Sequence, residues 1–340
     1  MSSPPGGNLG QGRLVAWFGR EYFAASLSRF GWDVRILSYK EPRLFSWEHI
    51  VDFCGRPPDV LVLGDRSLPP AFAGLENYPC LTVFYCVDSH IHAWYPLYAQ
   101  AFDACAVSLK DHLPRFLNGW LTPEDLLWLP AFAPNPEHLS YAPSQPVWDL
   151  LFVGSVDREN TPGRYAFLER LKALMPGLTV RQGQFTELFP KGRVLLNVAE
   201  HGDLNFRVFE GLIMGQCLLT PRVGHGLLEL FQDGLDLLTY QPGDAQDAAE
   251  KAQWLLARPE VIRSMGLSGQ AKVNKAHRAW HRARDFSAFM DRKLAEGQAR
   301  RLAMSALIRD QVLRPLHLHW AEVATDPELK RRYLMSAISR

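Results

Sequence analysis

Short apolar runs rich in valine and leucine punctuate the chain, and longer segments with helical spacing separate them. The runs at 14–18, 34–37, 60–63, 81–87 and 104–107 are hydrophobic in continuous stretches rather than alternating, interrupted only by Arg35 and Thr82. Strands of that kind are covered on both faces, which predicts a parallel sheet flanked by helices. Then come Pro130, Pro134, Pro136, Pro143 and Pro146. Proline fixes φ and lacks a backbone donor, so 131–147 reads as a linker. Beyond it the pattern restarts, with runs at 150–153, 178–181, 194–198, 217–219 and 235–240. Helices are predicted at about 162–175, 206–214 and 246–257, and from about 260 the sequence is helical throughout. The expected architecture is α/β, with two doubly wound, Rossmann-like domains at 13–130 and 148–285. A flexible tail at 1–12 precedes them and a helical extension at 286–340 follows. In open parallel sheets ligands sit beyond the carboxyl ends of the strands. Two such rims facing each other would form a cleft.

Composition narrows the functions this architecture can serve. A chain of 340 residues suits two domains, each burying its own core. With 47% hydrophobic and 21% charged residues, general disorder is excluded. The formal net charge of +1 argues against a nucleic-acid binder that neutralises many phosphates. No window approaches the ~18 uninterrupted apolar residues of a membrane span. The start, MSSPPGGNLGQG, has neither the basic nor the apolar part of a secretory signal, so a cytoplasmic location is expected. The five cysteines form no CxxC pair and are expected to be reduced and mostly buried. No GxGxxG, P-loop, nucleophile elbow or HExxH occurs, so no dinucleotide cofactor is expected.

The segment at 193–240 carries most of the chemistry. A strand feeds a polar loop and then a helix beginning near Asn205, a good N-cap, with Gly215 placed for a left-handed C-terminal cap. Phe209, Leu212 and Ile213 form its buried face, while Arg207, Glu210, Gly211 and Met214 share another. Arg207 falls in the first turn, where a cation opposes the helix dipole at a cost of ~0.3–1 kcal/mol. A bound anion would remove that penalty and add charge-assisted hydrogen bonds. Glu210, one turn on, could accept two hydrogen bonds from a ribose diol. The plainer reading is an Arg207–Glu210 ion pair on a solvated surface.

The whole segment, NFRVFEGLIMGQCLLT followed by GLLELFQDG, resembles the nucleotide-sugar donor region of two-domain (GT-B) glycosyltransferases. It is most similar to the spore-maturation CgeB-like group, supported by DLLFVGSVDREN at 149–160 and GLSGQAKVNKAHRAWHRAR at 266–284. The resemblance implies a glycosyltransferase, of hexosyl type, that uses a nucleotide-diphosphate donor with UDP favoured and needs no cofactor or metal. It places Arg207 at the donor diphosphate, Glu210 at the ribose and the Gly154-Ser155 turn beside the nucleotide. Gly224-His225-Gly226 would then lie near the sugar or phosphate. Many retaining members carry a second glutamate eight residues before the ribose-binding one. Here that position is Gly202, flanked by Glu200 and Asp203, so the stereochemical outcome stays open.

On the acceptor side, a glycan, protein or other hydroxyl acceptor is expected, and a base must take its proton. Asp88, His90 and His92 follow the strand at 81–87. A histidine of near-neutral pKa oriented by a carboxylate suits that role, with His90 the first choice and Asp88 the second. Trp94, Tyr95 and Tyr98 could stack on sugars, although a buried helical face accounts for them more simply. Two other functions fit the same residues. One is a non-catalytic two-lobed binder of a small solute or nucleotide. The other is a metal-dependent hydrolase on Asp88, His90 and His92, for which no spacing supplies a further ligand. The oligomeric state is left open.

Overall fold

The computed structural model describes residues 12–139 and 145–338. Most of the expected tail, and residues 140–144 of the expected linker, lie outside the described residues. The chain packs as two units.

The first unit holds strands β1 (Leu14–Gly19), β2 (Asp33–Leu37), β3 (Val60–Gly64), β4 (Leu81–Cys86), β5 (Ala104–Val107) and β6 (Leu126–Trp128), ordered β2-β1-β3-β4-β5-β6. The ladders from β2 to β5 are parallel. Every residue of β1, β3, β4 and β5 is buried, as continuous apolar runs require of strands covered on both faces. Helix α1 (Trp47–Cys54) opens on a Ser46/His49 capping box, and α2 (Tyr95–Ala99) follows β4. The three-residue β6 is too short to leave a periodicity in the sequence.

The second unit carries β7 (Trp148–Val153), β8 (Leu178–Arg181), β9 (Gly192–Leu196), β10 (Cys217–Pro221) and β11 (Leu238–Tyr240) in the order β11-β10-β9-β7-β8, again parallel. Its helices are α3 (Pro162–Leu174), α4 (Phe185–Leu188), α5 (Phe206–Ile213), α6 (Leu227–Leu230), α7 (Ala245–Leu256) and α8 (Pro259–Ala276). Two apolar clusters cover the sheet's faces. One is built on Phe209, Leu212 and Leu195, the other on Phe152, Phe167 and Tyr240.

The unit boundaries differ from the expected ones in two places. Residues 128–139 belong to the second unit: Ala131 and Ala133 are in its core, and Ala133 bridges Arg278. Residues 283–338 belong to the first unit. They comprise the end of α9 (Ala279–Glu296), then α10 (Ala299–Ala303), α11 (Ser305–Ile308), a π-helical turn (Arg309–Leu313), α12 (Arg314–Val323) and α13 (Pro327–Ile338). Phe286 packs edge-on against Trp17 and Phe23, and Arg301, 2% exposed, donates to Asp103 and to the carbonyls of Leu75, Tyr78 and Cys80. A guanidinium satisfied by four acceptors ties this segment to the sheet. All five cysteines are free and buried. Among the described residues, no helix is long and apolar enough to cross a membrane.

Candidate donor-binding site

A cavity of about 600 Å³ opens in the second unit beyond the carboxyl ends of β7 and β8, where open parallel sheets bind ligands. Gly154, Ser155, Arg207 and Glu210 all line it, together with Gln182–Thr186, Phe189, Pro134 and His138. Four of the residues expected from sequence to meet a nucleotide sugar therefore converge on one concavity.

Arg207 is organised before any ligand arrives. Its Nη1 donates to Asn197 Oδ1 at 3.0 Å, and its guanidinium lies 5.1 Å from the centre of the Phe152 ring. Burial lowers its pKa, and the neighbouring Arg164 charge pushes the same way. Glu210 and Asp203 oppose that shift. This is not a solvated surface cation. It is a desolvated one aimed into a cavity, a setting in which a phosphate gains most from charge-assisted contact. Gly154 makes the arrangement fit, since a Cβ there would stand 2.7 Å from Arg207 Nη2 and 3.0 Å from the Phe152 ring.

Two contributors were not picked out from the sequence. Asn197, just past β9, is 1% exposed; it also accepts from Asn205 Nδ2 and donates to Thr220 Oγ1. Its signal was present: one asparagine inside the apolar run VLLNV, a buried polar group that must be paired. Arg164, in the first turn of α3, donates to the Ser155 carbonyl at 2.9 Å, and its guanidinium is 6.0 Å from the Phe152 ring centre. Only the fold brings it to the Gly154-Ser155 turn.

Other expectations are redirected. Asn205 occupies the N-cap position of α5, but its side chain makes no capping hydrogen bond; it turns to Asn197 instead. Glu200 is committed elsewhere. Its carboxylate accepts from the amides of Gly163 and Arg164 at the start of α3 and faces Arg164 at 3.8 Å. Gly224, His225 and Gly226 do not line the cavity. His225 sits at φ +57° with its amide donating to Asp111 Oδ2, while the Asp111 amide donates to His225 Nδ1. A Cβ at Gly224 would strike the Asp111 carboxylate, and one at Gly226 the Trp128 ring. Of the two histidines in the 266–284 segment, His277 is buried against Phe209 and Phe231, with Nδ1 3.1 Å from Arg282 Nη2, and serves the core.

Asp88 and His90 lie in the first unit, after β4. The Asp88 carboxylate accepts from Ser67 Oγ, and its amide is held at 2.7 Å by the carboxylate of Asp65. Asp65 is 1% exposed; burial raises its pKa, and the charge of Asp88 adds to the rise. It also accepts from the amides of Ser67 and Val87 and from Tyr95 Oη, so it fixes the loops after β3 and β4 to each other. Tyr95 and Tyr98 are core residues. Among the described residues, no three His, Cys, Asp or Glu side chains gather as metal ligands, Asp88, His90 and His92 included.

Residues 152–288 match a family described as glycosyl transferase-like. No curated protein matches the sequence. Among solved structures, HepE of Anabaena in complex with UDP and glucose superposes with a TM-score of 0.56 at 10% identity, covering 82% of this chain and all of that one. A glycosyltransferase from Rickettsia africae gives 0.54 at 9% identity, over 83% and 99%. Sucrose-phosphate synthase from Thermosynechococcus elongatus gives 0.54 at 12%, over 84% and 100%. The fold is that of GT-B glycosyltransferases, two Rossmann-like units with a helical carboxy-terminus.

Proposed function

We propose that the second unit binds a nucleoside-diphosphate sugar, with UDP favoured, and that the protein transfers the glycosyl group to a hydroxyl acceptor. The observation that carries this is the convergence of Arg207, Glu210 and the Gly154-Ser155 turn on one cavity, with the family match centred on the same residues. In the reaction the bond from the anomeric carbon to the diphosphate oxygen breaks and one to the acceptor oxygen forms. The acceptor proton passes to a base, for which His90 and Asp88 are the assigned pair. The diphosphate leaves carrying the bond's electrons. Arg207, backed by Arg164, offsets that developing charge, and a preorganised donor of this kind contributes ~10²–10³ in rate. Glu210 would hold the ribose hydroxyls. The reading assigns no cofactor, the cationic charge at the cavity being that of Arg207. The CgeB-like group and a cytoplasmic setting belong to this proposal, as does a glycan or protein acceptor.

A thermal-shift panel of UDP, GDP, dTDP and ADP tests it. A nucleotide at a hundredfold excess over Kd should stabilise the protein by about 2.7 kcal/mol. Arg207→Ala and Glu210→Ala should abolish that shift, and Arg207→Ala should slow donor turnover by ~10²–10³. A protein indifferent to all four nucleotides would be a solute binder, and the assignment would fail.

A further inference from the structure

Asn197 is held so firmly that its chemical identity can be asked about apart from its shape. Its backbone amide donates to the Leu219 carbonyl at 2.8 Å, and its carbonyl accepts from Tyr240 Oη at 2.7 Å. The side chain is oriented as well. Nδ2 donates to Thr220 Oγ1 at 3.0 Å, which turns Oδ1 toward α5, where it accepts from Arg207 Nη1 and Asn205 Nδ2. Aspartate has nearly the same shape and could accept from all three neighbours. What asparagine supplies instead is an acceptor without a charge.

That difference falls on Arg207. A guanidinium carries five N–H donors, and a buried cation is ordinarily paired within the protein. Arg301 spends its donors on the Asp103 carboxylate and on three carbonyls, and Arg282 reaches the carbonyls of Pro130, Ala131 and Ala276. Arg207 spends one donor, on a neutral amide, and among the described residues it makes no other hydrogen bond and no ion pair. Glu210 and Asp203 act on it by charge alone. Its other N–H groups, and its charge, are left to the cavity that it lines. A carboxylate at 197 would satisfy the guanidinium from inside the protein and repel an incoming phosphate.

We propose that Asn197 is a positioning residue for the donor diphosphate: it fixes Arg207 through a neutral acceptor, so that the ligand and not the protein meets the charge. This rests on the donor-site reading of the second unit and identifies what keeps that site selective for the phosphate part of its ligand.

NMR titration of the full chain with UDP and with uridine, in the parent, in Asn197→Asp and in Thr220→Val, tests it. Asn197→Asp alters charge with little change of shape. It should weaken UDP by about tenfold to a hundredfold, the worth of a hydrogen bond to a charged group, while uridine, which has no phosphate, binds as to the parent. Thr220→Val keeps the shape and the neutral acceptor but removes the bond that turns the amide. It should weaken UDP severalfold, again without effect on uridine, and it decides the matter if Asn197→Asp fails to fold. A merely structural link would weaken both ligands alike. If both ligands weaken together, or if UDP binds the folded variants as it binds the parent, the proposal is overturned and the donor reading stands. A parent that binds no UDP overturns the donor reading, and this inference with it.

Discussion

Gly154 decides where a cation can go. Its missing Cβ leaves 2.7 Å of approach to the far end of Arg207, a mobile group, rather than to rigid backbone. Gly154→Ala should therefore displace the guanidinium first, and the buried Phe152 ring, 3.0 Å from the new Cβ, has to give by only a few tenths of an ångström. We expect an approximately tenfold loss of nucleotide affinity, about 1.4 kcal/mol, with the melting temperature nearly unchanged. Calorimetric titration and a melting curve on one sample separate these effects, and a variant that binds normally would mean that Arg207 does not serve the ligand. Asn197 works at the same scale: a single side-chain oxygen accepts from both Arg207 and Asn205, which explains why the expected cap is absent.

Among the elements, α3 shows how an acidic side chain can be removed from the chemistry. Glu200 accepts from two free amides in the first turn of α3 and pairs with Arg164, so it complements the positive end of the helix. Glu200→Ala should cost about 1 kcal/mol, the usual worth of a cap. Urea unfolding would measure it, and an unchanged midpoint would show that water serves the amides equally well. The loop after β10 is constrained in a different way. His225 adopts a left-handed backbone that favours glycine, held by its reciprocal bonds to Asp111.

For the molecule as a whole, acid should act first through a buried histidine in each unit and later through Asp125 in the first. In the second unit His277 is pushed down to about 3 by burial, with Arg282 adding to the effect, so the folded state keeps it neutral. Its contribution is complete above the unfolded value of 6.5 and is lost progressively as pH falls from 6.5 toward 3. In the first unit burial alone would raise Asp125, but Arg300, Lys293 and Thr122 outweigh it and hold the carboxyl at about 2. That contribution is present above pH 3.8 and lost only below it. In the first unit His317 is pushed down to about 4 by burial, so both units should weaken as pH falls below 6.5, and His277→Gln should flatten part of the limb between pH 6.5 and 4. Stability followed by denaturant titration at stepped pH would check it; a limb left unchanged in the variant would refute it.

Ten of the eleven strands could be read from the chain as short apolar runs, and those buried throughout, β1, β3, β4 and β5, fit a parallel sheet covered on both faces, whereas β2 and β8 are only partly buried. Helical spacing puts Arg207 and Glu210 on one face, but it fits a solvated ion pair as well, and their roles toward a nucleotide come from the resemblance of the whole segment. Residues brought together through separate elements were not legible. Arg164 reaches the Gly154-Ser155 turn only because α3 follows β7, and Glu200 loses its chemical freedom only because α3 begins beside it. The 286–340 segment reads only as a helical extension of open role until Phe286 and Arg301 are seen inside the first unit. Local periodicity settles what each segment becomes, whereas contacts between distant segments depend on packing, and packing decides which polar groups remain available for chemistry.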